Sequence, residues 1–524
     1  MGFFTKFFLL PSSASLVIPV SVVTTNTNLS NELVLATYQS YILDTIADEA
    51  YNDYNLKTIY FENDKEVFNG FASGAFDLAV LSSSTLEEAI DKGLVRQIDW
   101  KRFNGEVKSK LGLNVENRVG QENGQLVTKL GELYSPVIKE FFSKNNKLAT
   151  HGVPYFLSYL AFAYSGDKKL GNGDGASEES NSTTMKPMGW KELIQKITQD
   201  ERFKTQGDRP RLGMVEDELT LFSLSKLSSQ DSQEGEVTEI TNLFKDKENK
   251  KSEKEFFDSF MKINAAGIKK GGEMGSRPIF FSPDSVVLSD ALNDGTLNGV
   301  FFYNGDALYA HTLTQEDSED EDEKEEEEEE SDSEEKQIHI VPLNPALWLL
   351  DSIAISAKAS EEKLDTIYKF LEKISFGDLD KLNELQVQKT LEADDEEGQE
   401  EEREVPREEA KNKKAGWLIK NYKEILYTPA LKTFNQWIKG KLRTSEGGGG
   451  GGSSSNGEEF YKKEKEFLYG NPDIEECLEK QTQTRVKRSP ESQQCNISIV
   501  FERGLSDAQN LNLTMAFERW KNGF

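Results

Sequence analysis

Short, dense apolar runs alternate along this chain with segments whose apolar residues recur every three or four positions. The first kind reads as strands and the second as amphipathic helices. Residues 33–38 form a strand run, and Ile42, Leu43, Ile46, Ala47 and Ala50 then fall at helical spacing. A second strand run covers 56–61. Val67, Phe68 and Phe71 mark a short helix closed by Gly74, and 76–81 is a third strand run. Ser82, Ser83 and Ser84 open the next helix. Ser84 and Glu87 have capping-box spacing, and Gly93 follows the helix end. Three strand–helix units in a row predict a parallel sheet with helices on its faces. Ligands of such sheets bind beyond the carboxyl ends of the strands. Tyr38, Gln39 and Ser82 stand at those ends.

Further along, 153–164 is strand-like and aromatic, suited to a crossing into a second lobe. Helices are expected over 190–197, 219–227, 286–292 and 364–374, and strands over 299–303 and 338–341. The residues 458–468 and 513–520 read as closing helices. The run 346–355 is almost wholly apolar and reads as a strand buried on both faces. It carries one acid, Asp351, and a buried carboxylate is costly unless it is paired or hydrogen-bonded. Two readings stay open. Asp351 reaches water or caps a helix at the strand end, or it sits at the mouth of a cleft and awaits a cation. Glu216, Asp217 and Glu218 stand at a helix start, where acids favour the macrodipole. Capping therefore competes with any ligand role for Asp217.

Composition adds a correction to this pattern. With 524 residues and 36% hydrophobic content the chain can fill the cores of roughly two to four domains. The net charge of −30 argues against nucleic acid as a partner. Half of it is local: of the 20 residues 316–335, 16 are acidic and one is Lys324. Such a block cannot form a core and is expected to be disordered and solvated. A second acidic insertion covers 392–409, 171–184 is a Gly/Ser/Asn-rich loop, and 447–457 is a glycine–serine linker. The only cysteines, Cys477 and Cys495, exclude a disulfide scaffold; one bridge and two free thiols both remain open. His151, His311 and His339 are far apart, so neither a histidine metal site nor a catalytic triad is expected. No cofactor is called for.

At the N-terminus, Lys6 precedes an apolar segment, 7–23, broken by Pro11 and Pro19. It reads as an export signal and falls short of the roughly 20 apolar residues of a membrane span. It is either cleaved near 24–28 or kept as an anchor. No cysteine follows it, which argues against acylation at a lipobox.

Five stretches in order carry a resemblance. They are Leu35-Ala36-Thr37-Tyr38-Gln39-Ser40-Tyr41; Gly74-Ala75-Phe76-Asp77-Leu78 running on to Ser82; Val153-Pro154-Tyr155; Tyr303-Asn304-Gly305; and Leu350-Asp351-Ser352-Ile353. Over about 33–374, and patchily from 417 to the end, the chain resembles the extracytoplasmic polyamine-binding proteins of bacterial spermidine/putrescine ABC importers. The resemblance implies an α/β, two-lobe receptor of the periplasmic-binding-protein type (type II), with a hinge and the ligand in the interlobe cleft. It implies lobe 1 from 31–150 and 348–434, and lobe 2 from 151–347 and 435–524, after a signal or anchor segment at 1–30. The insertions 314–336, 388–414 and 445–457 lie outside that pattern. It further implies no enzymatic activity, a polyamine ligand, an ABC permease partner and a place on the outer face of the bacterial membrane or in the periplasm, with membrane contact through the N-terminal segment.

Site roles carry over at matching positions. Tyr38 and Tyr303 stand for aromatic walls, with Tyr41 and Gln39 beside the first. Ser82 matches a polar contact, and Asp217 and Asp351 match the two acids that hold ammonium groups. Trp348 or Leu349 falls near another wall, and Tyr427 matches a late tyrosine. The departures are tyrosine where tryptophan-type walls are usual, Ser84 in place of an aromatic hydroxyl, and Thr220 in place of a further acid. Such a set suits alkyl segments between ammoniums, because carboxylates give charge-assisted bonds and aromatic faces attract cations. An anion receptor would want Arg209 or Arg211 in the cleft instead. A two-carboxylate enzyme, a surface adhesion protein and a receptor for another cationic solute are the competing readings.

Overall fold

The computed structural model describes residues 32–39, 41–61, 63–103, 107, 122–166, 170, 188–204, 209–228, 252–265, 279–321, 337–341, 343–377, 416–436, 438, 468, 478, 499–502 and 504–522. The N-terminal segment, the loop 171–184, the glycine–serine linker, the acidic residues 322–336 and 392–409, Cys477 and Cys495 lie outside them.

The chain opens with β1 (Leu33–Thr37), α1 (Asp44–Tyr54), β2 (Leu56–Tyr60), α2 (Asp64–Ser73), β3 (Leu78–Leu81) and α3 (Ser83–Asp91). Helices α4 (Glu122–Leu133), α5 (Pro136–Lys144) and α6 (Asn146–His151) lead into β4 (Gly152–Ser165). Then come α7 (Trp190–Gln199), β5 (Leu212–Val215), α8 (Glu218–Ser228), α9 (Glu253–Ala265), β6 (Ile279–Ser282), α10 (Ser285–Asn293), β7 (Gly299–Tyr303) and α11 (Asn304–Glu321). The last described part holds β8 (Ile338–Val341), β9 (Ala346–Ile355), α12 (Glu361–Phe376), α13 (Trp417–Ile425), β10 (Thr428–Pro429), β11 (Ile499–Phe501) and α14 (Asp507–Asn522).

Strand β1 lies parallel between β2 and β3, as the strand–helix pattern predicts. Likewise β5 lies parallel between β6 and β7. The main sheet order is β2-β1-β3-β9-β4-β7-β5-β6, with β8 added on β4. Strand β4 joins the halves. Its residues up to Tyr159 run antiparallel to β9, and those from Leu160 run antiparallel to β7. The same order is thus made twice: β2-β1-β3-β9-β4 in one half and β6-β5-β7-β4-β8 in the other. Each half is a parallel three-stranded unit closed by an antiparallel strand, and the protein is an α/β molecule of two such halves. β9 is buried throughout, and β4 up to Tyr164, which is why both runs are apolar on both faces.

Helix α14 ties the C-terminus to both halves. Phe517 and Trp520 pack on Phe260, with ring centroids 5.7 and 5.4 Å away, and Trp520 also meets Phe281 at 5.7 Å. At its other end Asp507 pairs with Lys92, and Asn510 donates to Glu88 of α3 at 2.7 Å.

Two local expectations are corrected. The cap of α3 is Ser82, whose side chain accepts from the Thr85 amide, because the helix begins at Ser83. Glu87 Oε2 accepts from the Gly504 amide at 3.0 Å. Helix α11 also runs on through Glu321, past the point where the acidic block was expected to end the order. Ala307, Leu308, Ala310 and His311 give it a buried face over its first turns. Among the described residues no helix is long and apolar enough to cross a membrane.

Candidate functional site

The carboxyl ends of β1, β7 and β5 deliver Tyr38, Tyr303 and the turn into α8 that carries Asp217. The long strand β9 delivers Asp351. Around these residues three tyrosines make a continuous group. The Tyr38 and Tyr41 rings lie 5.1 Å apart, the Tyr41 and Tyr427 rings 5.2 Å, and Tyr38 also rests on Phe61 at 4.5 Å. Tyr155 fixes the backbone here: its hydroxyl donates to the Tyr41 carbonyl at 3.0 Å and accepts from Asn421. Asn421 in turn accepts from the Leu43 amide at 2.8 Å.

Asp351 is 3% exposed, and Oδ2 accepts from the Tyr41 hydroxyl at 3.3 Å. Burial pushes its carboxyl up to about 7, against the pull of the tyrosine bond. Asp306 has the same character. Its Oδ2 accepts from the Tyr427 hydroxyl at 3.0 Å, and burial raises it to about 7. The hydroxyls of Tyr41, Tyr303 and Tyr427 are all held well above the ordinary phenol value, by burial first and by neighbouring acids second. Tyr303 feels Asp217, Glu502 and Asp351, while Tyr427 feels Asp306 and Asp351. Carboxylates and neutral tyrosines thus share one space between the halves. Among the described residues no lysine or arginine is hydrogen-bonded or ion-paired to Asp217, Asp306 or Asp351.

The candidates fare differently. Asp217 caps α8, Oδ1 accepting from the Thr220 amide at 2.7 Å, and Thr220 Oγ1 meets the Tyr303 hydroxyl at 3.1 Å. The capping role and closeness to Tyr303 therefore coexist. Ser82 spends its hydroxyl on Ser84 and Thr85, at 3.1 and 2.9 Å, within the α3 cap. Gln39 is exposed. Trp348 is corrected. Side chains alternate along a strand, and three positions separate it from Asp351, so it lies on the opposite face of β9. There it is 1% exposed, and its ring meets Tyr159 at 4.9 Å. Leu349 is the neighbour that shares Asp351's face.

Two acids escape the sequence reading. Asp306 sits in the first turn of α11, three residues beyond Tyr303; an acid just past a strand's carboxyl end was the available signal. Glu502 follows β11, which runs parallel to Ala346–Trp348, and it is 3% exposed. Nothing local marks it, since its place depends on a pairing across some 150 residues of chain.

The strand order and the crossing strand define an α/β fold of two halves that share β4. The chain is similar to the spermidine/putrescine ABC transporter substrate-binding protein PotD of Streptococcus pneumoniae, at 10% identity and a TM-score of 0.45, over 94% of this chain and 98% of that one. It is similar to the TpPotD lipoprotein of Treponema pallidum at 12% identity and a TM-score of 0.38, covering 66% of this chain and 81% of that one. The binding protein MotA of A. tumefaciens, in complex with glucopine, matches at 12% identity and a TM-score of 0.37, over 65% and 78%. No curated protein sequence matches this chain. The family model described as hypothetical lipoprotein (MG045 family) matches residues 6–523, and the chain belongs to that family.

Proposed function

We propose that this protein is an exported receptor that captures a polyamine and delivers it to an ABC permease. The observation that carries this reading is Asp351: a carboxyl buried between the halves, touched by a tyrosine hydroxyl and by no basic side chain among the described residues. Such a group is stabilised by an incoming cation, which supplies the missing charge-assisted bond. Tyr38, Tyr41, Tyr303 and Tyr427 offer aromatic faces for methylenes and for ammonium groups, each cation–π contact contributing about 0.5–2 kcal/mol. Asp217, from the other half, supplies a second acid near Tyr303. The halves close on the ligand about β4, the strand that links them. A family described as lipoproteins supports a place at the membrane surface. In this chain the cysteines stand only at 477 and 495, so the membrane contact proposed is the apolar segment 7–23.

Calorimetry with spermidine and with putrescine, on the chain lacking 1–23, tests the reading. Saturable heat and a thermal upshift are expected. Absence of both at millimolar ligand sinks the polyamine assignment.

A further inference from the structure

We propose that Asp306 is a positioning residue of the interlobe site and acts on the ligand through Tyr427; this rests on the cation-receptor reading above. The first turn of α11 and the backbone at the end of α13 together fix the Tyr427 ring. Asp306, in the first turn of α11, takes its hydroxyl proton in a 3.0 Å bond. Gly305 lies directly beneath the ring: a Cβ there would stand 2.2 Å from Cδ1 and 2.5 Å from Cε1. Leu426, which ends α13 just before the tyrosine, holds φ 63 and ψ 10. That left-handed conformation is unfavourable for a residue with a Cβ and persists only where the surroundings enforce it. On its remaining sides the ring meets Tyr41 at 5.2 Å and Phe156 at 6.3 Å, and the residue is 5% exposed.

Asp306 is itself fixed. Its backbone carbonyl accepts from Ser289 Oγ of α10 at 3.0 Å, and the neighbouring Ser285 side chain and Tyr303 backbone favour the charged form of its carboxyl. The Tyr427 hydroxyl is thereby committed as a donor to Asp306, which leaves its oxygen lone pairs for an ammonium. Tyr41, in ring contact with it, is committed in the same way to Asp351. The result is two tyrosine–aspartate pairs set ring to ring, one reaching into each half, with the same polarity toward a cation between them. A tyrosine whose hydroxyl was free to rotate would have to be ordered by the ligand, at a cost in affinity.

The test compares the full-length protein with Asp306→Asn, Tyr427→Phe and the double variant, using spermidine as the probe in calorimetry. Each single change is expected to weaken binding at least fivefold, and the double variant to be no weaker than the poorer single one. The ring-carbon NMR signal of Tyr427, assigned by its loss in Tyr427→Phe, is expected to move in Asp306→Asn without ligand. Unchanged affinity in Asp306→Asn, losses that multiply in the double variant, or an unmoved signal would each overturn the proposal. Ser285→Ala loosens Asp306 without deleting it, and is expected to weaken binding in the same direction by a smaller factor. It keeps the test in force if Asp306→Asn does not fold. A wild-type protein that gives no heat with spermidine overturns the cation reading and the ligand role of the pair together. That failure is recognised because the Tyr427 signal then moves in Asp306→Asn with no spermidine heat in the wild type.

Discussion

The Tyr41 hydroxyl donates to Oδ2 of Asp351 at 3.3 Å, across 310 residues of sequence. It is the bond that brings the acid of the central strand into the tyrosine group. It also offsets only part of the cost of burying a carboxyl there, which leaves Asp351 poised near neutral pH.

Replacing Asp351 separates stability from binding. The carboxyl titrates near 7 when folded and near its ordinary 3.8 when unfolded. Between those values the folded state binds more protons, so its ionisation erodes stability progressively as pH rises from about 4 to about 7. Asp351→Asn is therefore expected to be more stable than the wild type at pH 8 without ligand, by about 4 kcal/mol. Near pH 4 the two should be alike. Urea unfolding at both pH values checks this, and spermidine binding by the variant should be lost.

Ligand affinity should follow the same group in the opposite sense. A cation binds the ionised carboxyl, so the dissociation constant for spermidine is expected to rise about tenfold between pH 8 and pH 6. Calorimetry across that range reads it, and a flat profile would remove Asp351 from the site.

Tyr41→Phe deletes the bond that favours the charged form of Asp351. Affinity for spermidine at pH 8 is expected to fall by about 1.5 kcal/mol, roughly tenfold. The pH profile should also move to the alkaline side, which a purely steric effect would not produce.

Gly305→Ala tests the close approach of the chain to Tyr427. The added Cβ meets the ring at 2.2 Å. A loss of about 1–3 kcal/mol in stability is expected, together with weaker spermidine binding. Chemical unfolding and calorimetry on one preparation measure both.

Trp520→Ala tests whether α14 belongs to the core of the second half. The ring is buried among Phe260, Phe281 and Phe517. A destabilisation of about 3–5 kcal/mol is expected from denaturant curves. A change below 1 kcal/mol would show that the helix is only loosely attached.

The apolar periodicity determined much of this protein directly. The runs at β3, β4 and β9 announced themselves because burial on both faces demands unbroken apolar sequence, and Asp351 stood out because it broke one. Trp348 was expected near an aromatic wall of the site, whereas period two sets residues 348 and 351 on opposite faces of a strand. The tertiary structure alone decided which polar groups meet. That Ser82 rather than Ser84 caps α3 follows from where the helix begins. That Glu87 holds Gly504 follows from the return of the C-terminal segment to α3. Asp306 reaches Tyr427 across 121 residues, and the pairing of β11 with β9 brings the charge of Glu502 to bear on Tyr303. Periodicity is a short-range record of which face is buried. The contacts that assemble this site are long-range, and they are fixed by how the two halves share β4.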